Sequence, residues 1–227
     1  MGMTKAERLE RDIRLMDEMK EHEEELRSSA LLLVAGMDEA GRGPLAGPVT
    51  AGAVVLPPEF AVPGINDSKK LTPKKRQYFY DIIRDGSLAF GLGWATPAEI
   101  DKVNILNATK MAMKRAVAAA NEMLKQKNLD SIQVLLIDAV HIDDLDIPQE
   151  SFIKGDSRCY SIAAASILAK VARDNYMEEL DKIYPGYDFA SNKGYGTAAH
   201  YDGIRNLGIT PAHRKSFLKN FQEKHNR

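Results

Sequence analysis

Four acidic residues follow apolar segments of the chain, and their positions suggest a metal site. Asp38 and Glu39 end a first apolar segment. Asp138 ends a second, and Asp156 follows a third. A carboxylate at the end of a buried strand is costly unless a positive charge offsets it, and neighbouring carboxylates raise each other's pKa. A divalent cation removes this conflict, and oxygen ligands favour Mg²⁺ or Mn²⁺.

Each acid also has an ordinary alternative role. Any one of them could pair with an Arg or a Lys, and Asp156 could cap the helix that follows it. These roles account for a single acid better than for four acids near a glycine-rich segment, which contains Gly41, Gly43 and Gly47. His and Cys residues do not occur at ligand spacing, so we do not expect a structural zinc site.

The hydrophobic pattern predicts the elements that position these acids. Short apolar segments indicate strands at 31–37, 48–56, 88–95, 132–137 and around Phe152, and the first three should form an antiparallel meander. Helices are expected at 4–28, from Pro73 onward, and at 98–103, 106–126, 160–183 and 198–207. The sequence therefore predicts an α/β fold, with a mixed sheet, helices on its faces and acids where strands end.

The length and composition are those of an ordinary soluble protein. The chain has 227 residues, of which 44% are hydrophobic and 28% are charged. Residues 1–28 are predicted to form an N-terminal helical extension, and 29–227 a catalytic domain whose helical C-terminal region starts at about 185. We expect a monomer because no long hydrophobic surface stripe is left over.

The same pattern argues against a membrane protein. No apolar segment approaches the ~20 residues that a membrane helix needs. The N-terminus lacks a signal-peptide pattern, and the single Cys159 cannot form an internal disulfide. We therefore expect a cytoplasmic location.

Two stretches are basic although the formal net charge is −1. One runs from Asp67 to Arg76 and the other covers 211–227. Binding of a polyanion requires a local basic surface more than a high overall charge. Solvated surface without a ligand is an equally good interpretation of either stretch alone.

Five segments, in the same order, resemble the motifs of the ribonuclease HII family, the type 2 ribonucleases H. They extend over about 31–217 and comprise Met37–Val49, Asn66–Leu71, Lys154–Asp156 with Ser161–Asp174, Lys193–Thr197 and His213–Phe217. One such motif alone would be weak evidence of membership in the family. Together they imply a ribonuclease H-like five-stranded mixed sheet flanked by helices, with a helical C-terminal region.

The resemblance implies roles for the acids. Asp38, Glu39 and Asp138 match the metal-binding carboxylates of the family, and Asp156 matches a further catalytic acid. Asp174 matches an acid that some members use instead or in addition. Many relatives have Gly immediately after the third acid, where this chain has Ala139.

The expected chemistry is phosphodiester hydrolysis by two cations roughly 4 Å apart, which leaves a 5′-phosphate and a 3′-hydroxyl. Adjacent residues of an ideal strand point to opposite faces. Asp38 and Glu39 can therefore both serve the site only if the strand breaks there, as Gly41 and Gly43 would allow.

The resemblance also implies how the substrate is chosen. Backbone groups of Gly41, Arg42 and Gly43 would contact the 2′-hydroxyl that distinguishes RNA from DNA. Tyr195 would pack on the deoxyribose 3′ to a ribonucleotide. Phosphates would be held by Ser68, Lys69 and Lys70. His213, Arg214 and Lys215 could extend the duplex-binding surface.

The predicted function is an endoribonuclease that cuts the RNA strand of RNA–DNA hybrids and incises 5′ to single ribonucleotides in duplex DNA. The nearest rival is an enzyme like ribonuclease HIII, which prefers longer RNA tracts; Arg42 between two glycines favours the first. A catalytically silent duplex-binding module would not need the acids. A phosphatase with an aspartyl nucleophile has no support beyond aspartates at strand ends.

Overall fold

The computed structural model describes residues 3–30 and 33–219 of the chain. It contains one five-stranded sheet, formed by β1 (Val34–Ala40), β2 (Val49–Val55), β3 (Ala89–Ala95), β4 (Val134–Asp138) and β5 (Gln149–Phe152). The strand order is β3-β2-β1-β4-β5. The pairs β1–β2 and β2–β3 are antiparallel, whereas β4 is parallel to both β1 and β5. The mixed sheet and its initial meander are thus confirmed.

Helices cover both faces of this sheet. In the described part of the chain they are α1 (Lys5–Ala30), α2 (Pro73–Gly86), α3 (Pro97–Val103), α4 (Ile105–Gln126), α5 (Tyr160–Ile183), α6 (Phe189–Asn192) and α7 (Ala198–Leu207). Helix α4 packs on one face, mainly against β2 and β3, and α5 packs on the other, against β1 and β2. None of these helices combines the length and the apolar content that crossing a bilayer requires.

Helix α5 lies directly on the backbone of the sheet. A Cβ added at Gly36 of β1 would lie 2.1 Å from the carbonyl carbon of Ser161, and one at Gly52 of β2 would lie 2.7 Å from the carbonyl oxygen of Ala165. Only glycine permits this close approach. The start of α5 is therefore held at a fixed position over β1, which determines where the turn before α5 places Asp156.

Helix α1 is docked on the body through apolar and polar contacts. Met16 and Met19 are buried in the core formed with α2 and α5. Glu23 is 1% exposed, and its Oε1 accepts a hydrogen bond of 2.7 Å from the backbone N–H of Ser161. A carboxylate near the first turn of a helix satisfies a free amide and interacts favourably with the helix dipole. The N-terminal helix thus contributes to anchoring the beginning of α5.

The C-terminal region has a small core of its own. Tyr187, Phe189 and Ile204 pack against Met177 and Leu180, which extend from the last turns of α5. This arrangement agrees with the predicted helical C-terminal region. Of the predicted basic tail, residues 220–227 lie outside the described residues.

Candidate active site

The parallel pairing of β1 with β4 brings two distant acids together. The register aligns Met37 with Ile137, so Asp38 and Asp138 are the next residues at the carboxyl ends of neighbouring strands. Asp156 joins them from the short 3₁₀ turn Gly155–Ser157, which precedes α5. One carboxylate oxygen from each of these three residues lies within 4.8 Å of the other two.

Two of the three carboxylates, Asp38 and Asp156, are in positions that disfavour their charge. Burial raises the pKa of Asp38 well above its ordinary value, and the charges of Glu39, Asp138 and Asp156 raise it further. Burial also raises the pKa of Asp156, together with the charges of Asp67 and Asp138. A divalent cation would remove this repulsion. Because the group contains only carboxylate oxygens, its donor set fits a hard cation such as Mg²⁺ or Mn²⁺.

Backbone amides orient two of these carboxylates. The N–H of Glu39 donates to Asp38 Oδ1 over 2.7 Å, and the N–H of Gly155 donates to Asp138 Oδ1 over 2.8 Å. Each bond fixes one oxygen of its carboxylate. The second bond also ties the end of β4 to the turn that carries Asp156, so the group is preorganised by the main chain.

Glu39 lies beside this group but is not one of its three members. The predicted strand break is wrong: β1 continues through Glu39 and ends at Ala40, because Glu39 and Ala40 still pair with Ala51 and Thr50 of β2. Arg42 Nη1 lies 3.4 Å from Glu39 Oε1. Among the described residues, the buried Oε2 of Glu39 has no hydrogen-bond partner. A buried carboxylate oxygen without a partner is a costly arrangement that a ligand could relieve.

Asp174 is engaged elsewhere. Lys170 Nζ donates to its Oδ1 over 2.7 Å, and Arg76 Nη2 lies 4.0 Å from its Oδ2. It faces a cleft of about 680 Å³ that is also lined by Lys193 and Tyr195. Of the two acids left open by the sequence, Asp156 is therefore the one that the fold places with Asp38 and Asp138.

The residue after Asp138 has an unusual backbone conformation. Ala139 has a φ of +51°, in the left-handed region that glycine adopts most easily. The Gly that the resemblance implies at this position would fit that geometry. The departure to Ala leaves Asp138 in the carboxylate group but places a Cβ where the backbone disfavours one.

Two buried arginines hold the Gly41-Arg42-Gly43 loop. Arg214 donates to the carbonyl oxygens of Gly41 and Arg42, over 2.6 and 2.9 Å. A Cβ at Gly41, whose φ is +93°, would lie 1.9 Å from Arg173 Nε. The expectation that His213 and Arg214 extend a duplex-binding surface is wrong, since these residues are only 2% and 0% exposed.

Tyr195 lies beside the same loop. Its ring approaches Gly43 so closely that a Cβ there would be 3.5 Å from the ring carbon Cε1. The residue is 48% exposed, so part of the ring is free to contact a ligand. The loop that carries it is tied to the glycine-rich segment, because Leu45 N–H donates to the Gly194 carbonyl over 2.8 Å.

The three predicted phosphate-binding residues form a short 3₁₀ turn, Ser68–Lys70, and differ in exposure. Lys69 has a side chain that is 78% exposed, and its Nζ lies 3.7 Å from Asp156 Oδ2. Lys70 Nζ donates to Ser157 Oγ over 3.0 Å. Ser68 is only 5% exposed. The two lysines therefore flank the Asp156 side of the carboxylate group, while Ser68 is largely covered.

Several residues that shape the site were not predicted from the sequence. Arg173 donates to the carbonyl oxygens of Pro48, Ala46 and Lys193 and thereby joins two loops. Asp67 caps the 3₁₀ turn that carries Lys69. Arg173 lies inside a matched segment, but nothing in its local pattern distinguishes a buried arginine from an exposed one.

Comparisons with known proteins agree with this geometry. The family model described as Ribonuclease HII matches residues 35–221. A ribonuclease HII of Caldanaerobacter subterraneus subsp. tengcongensis is 47% identical over 211 residues, which are 93% of this chain and 84% of that protein. The crystal structure of ribonuclease H2 from Pyrococcus horikoshii OT3 superposes with a TM-score of 0.68 at 24% identity, covering 86% of this chain and 99% of that one.

A structure of Bst-RNase HIII in complex with Mn²⁺ also shares the fold, with a TM-score of 0.62 at 18% identity over 88% of this chain and 72% of that one. Those two structural matches show the fold. The family model and the curated relative show more, because they cover most of the chain at high identity. This chain belongs to the ribonuclease HII family of metal-dependent endoribonucleases, which cut the RNA of RNA–DNA hybrids and ribonucleotides embedded in DNA.

Proposed function

We propose that Asp38, Asp138 and Asp156 hold the divalent ions with which this enzyme hydrolyses the RNA strand, and that Glu39 completes the catalytic acids. The observation that carries this assignment is the convergence of three carboxylate oxygens within 4.8 Å at the end of the sheet. Burial and mutual repulsion raise the pKa of Asp38 and Asp156. A cation would stabilise both in their charged form.

We propose Mg²⁺ or Mn²⁺ as the cofactor. Both accept carboxylate oxygens, and a related ribonuclease HIII has been solved with Mn²⁺. When bound, such ions supply activation of the attacking water and stabilisation of the leaving 3′-oxygen. The expected products are a 5′-phosphate and a 3′-hydroxyl.

The protein's own residues would place the scissile strand. Lys69 Nζ is close to Asp156 and mostly exposed, so it can contact a substrate phosphate beside the carboxylates. Lys70 lies next to it, held through Ser157. Ser68 contributes to the turn that presents the two lysines. The cleft that contains Arg76 and Lys193 would receive a neighbouring part of the duplex.

Recognition of a ribonucleotide is assigned to the loop of Gly41, Arg42 and Gly43. Arg214 draws the carbonyl oxygens of Gly41 and Arg42 into the protein. This orientation supports the proposal that other backbone groups of the loop face the 2′-hydroxyl. The exposed ring of Tyr195, beside Gly43, would pack on the deoxyribose that follows the ribonucleotide.

The partner is therefore an RNA–DNA hybrid or a DNA duplex that contains ribonucleotides. We further propose that the enzyme acts as a monomer in the cytoplasm, with residues 29–227 as the catalytic domain and 1–28 as its helical extension.

The decisive experiment uses a DNA duplex with one embedded ribonucleotide, in the presence of Mg²⁺ or Mn²⁺. Incision 5′ to that ribonucleotide, with a 3′-hydroxyl product, supports the proposal. A duplex with four consecutive ribonucleotides serves as the comparison substrate. Cleavage of the longer tract alone would favour the preference of ribonuclease HIII and overturn the proposed role of Tyr195.

A further inference from the structure

Two buried histidines connect the C-terminal segment to the backbone of Tyr195. His200, in α7, and His213, in the segment after it, are 0% and 2% exposed, and their Nε2 atoms lie 3.1 Å apart. At one end, His200 Nδ1 lies 2.9 Å from the carbonyl oxygen of Tyr195. At the other end, the N–H of Thr210 donates to His213 Nδ1 over 2.9 Å.

The end groups fix the protons of this chain of hydrogen bonds. An amide N–H can only donate, so His213 Nδ1 is an acceptor and its Nε2 carries the hydrogen. A carbonyl oxygen can only accept, so His200 Nδ1 carries the hydrogen and its Nε2 is an acceptor. The two ends independently require the same direction: Thr210 to His213, His213 to His200, and His200 to the Tyr195 carbonyl.

The surroundings favour the neutral form of both imidazoles. Tyr187 and Phe189 surround the pair, with ring centroids 4.9 Å from His213 and 5.2 Å from His200. Burial lowers the pKa of both histidines. Two neutral rings can form a single-direction chain, whereas protonation of either would place two donors against each other.

The adjacent residues 213 and 214 contact the two loops that meet at the substrate. His213 acts through His200 on the Tyr195 backbone. Arg214 donates to the carbonyl oxygens of Gly41 and Arg42. The segment therefore contacts the glycine-rich loop through Arg214 and reaches the Tyr195 backbone through His213 and His200.

We propose that His200 and His213 are positioning residues that set the Tyr195 ring against the Gly41-Arg42-Gly43 loop, and so determine how well the enzyme selects a ribonucleotide followed by a deoxyribonucleotide. Neither histidine touches the substrate; both act through the Tyr195 carbonyl. This inference rests on the role proposed for Tyr195, which contacts the sugar.

A double-mutant cycle tests the inference. His200→Leu removes the imidazole donor to the Tyr195 carbonyl, which then keeps only the Thr197 N–H at 2.8 Å, and Tyr195→Ala removes the ring. We expect His200→Leu to lower kcat/KM on the duplex with one embedded ribonucleotide roughly tenfold, as for an interaction that orients a substrate-binding group. In the Tyr195→Ala background it should cause no further loss, because nothing is left to position. His200→Asn restores a donor near the Nδ1 position and should recover most of the activity.

The matched control is Tyr187→Phe. It removes a partly buried hydrogen bond of 2.9 Å, from the Tyr187 hydroxyl to the Gly208 carbonyl, beside the same aromatic cluster. It should lower the melting temperature without reproducing the loss on the ribonucleotide substrate. If His200→Leu does not fold, His213→Gln, which weakens the same chain at its other histidine, is measured in the same cycle.

Three results would overturn the inference: equal losses from His200→Leu in both backgrounds, an equal loss from Tyr187→Phe, or an unchanged kcat/KM in both histidine variants. The failure of the underlying role of Tyr195 has a separate signature. In that case Tyr195→Ala by itself would leave cleavage at the single ribonucleotide unaffected, and the inference would fall with it.

Discussion

Asp38 and Asp138 lie side by side at the carboxyl ends of two parallel strands, although a hundred residues separate them in the chain. The turn before α5 adds Asp156 to the pair. Backbone amides hold Asp38 and Asp138, and Asp156 lies on a turn with Lys69 Nζ 3.7 Å from its Oδ2. Substitutions at these positions should therefore change the chemistry more than the fold.

We expect Asp138→Asn to lower cleavage of an RNA–DNA hybrid by about a thousandfold or more, while binding of the hybrid persists. The amide keeps the shape of the side chain and can still accept the Gly155 N–H. It lacks the charge that a divalent ion needs. Cleavage rate and a binding isotherm, measured on the same hybrid, check this. Activity equal to that of the unsubstituted enzyme would rule out the carboxylate group as the site.

In the absence of divalent ions and at neutral pH, Asp38→Asn should raise the free energy of unfolding. The reason is that burial and neighbouring acids raise the pKa of Asp38, so its charge destabilises the folded protein. Adding Mn²⁺ should stabilise the unsubstituted enzyme more than the variant, since the ion binds the folded state. Thermal unfolding with and without Mn²⁺ provides the measurement. As a control, Asp130→Asn at an exposed position should change neither the free energy of unfolding nor its increase with Mn²⁺. If Mn²⁺ stabilised Asp38→Asn as much as the unsubstituted enzyme, the assignment of Asp38 as a metal ligand would be contradicted.

Acid should destabilise the protein through His213. Burial, followed by the proximity of His200, lowers the pKa of His213 from 6.5 to about 4. Because the folded pKa is below the unfolded one, the stabilisation is complete above about pH 6.5 and is lost as the pH falls towards 4. His213→Gln should show a shallower loss between these values. Urea unfolding at pH 7 and pH 5 would test this, and identical pH dependence in both proteins would contradict it.

Ala139→Gly should stabilise the protein by about 0.5–1 kcal/mol. The φ of +51° at Ala139 is unfavourable for a residue with a Cβ, whereas glycine adopts it without that cost. Ala119→Gly, at an exposed position in the interior of α4, is the matched comparison and should cost about 1 kcal/mol. Chemical denaturation of the two variants measures the sign of each change in the free energy of unfolding. Destabilisation by both would show that the conformation of Ala139 carries no such cost.

The local hydrophobic pattern of the sequence was sufficient to predict most of the helices and strands. Helix α5 begins at Tyr160 and ends at Ile183, as predicted, because its apolar and small residues form one long helical segment. The sheet also follows from short apolar segments and the acids that end them. The predicted convergence of Asp38, Asp138 and Asp156 is confirmed by the geometry.

The features that the local pattern did not predict depend on contacts between segments that are distant in the sequence. The strand β1 continues past Asp38 because β2 supplies partners for Glu39 and Ala40. His213 and Arg214 resemble surface residues in a basic stretch, yet loop carbonyls and an aromatic cluster bury them. The side chain of Glu23 contacts the first turn of α5, although 138 residues separate Glu23 from Ser161 in the sequence. None of these partners can be identified from neighbouring residues.

The parallel pairing of β1 with β4 has a consequence for how the enzyme is made. Everything from β2 to the end of α4 must be synthesised before β4 can dock beside β1, and Asp156 is synthesised only afterwards. Pairing across so long a stretch is entropically expensive and late. A chain that ends before β4 therefore carries Asp38 and Glu39 without Asp138 and Asp156, and it lacks the carboxylate group that would hold the ions.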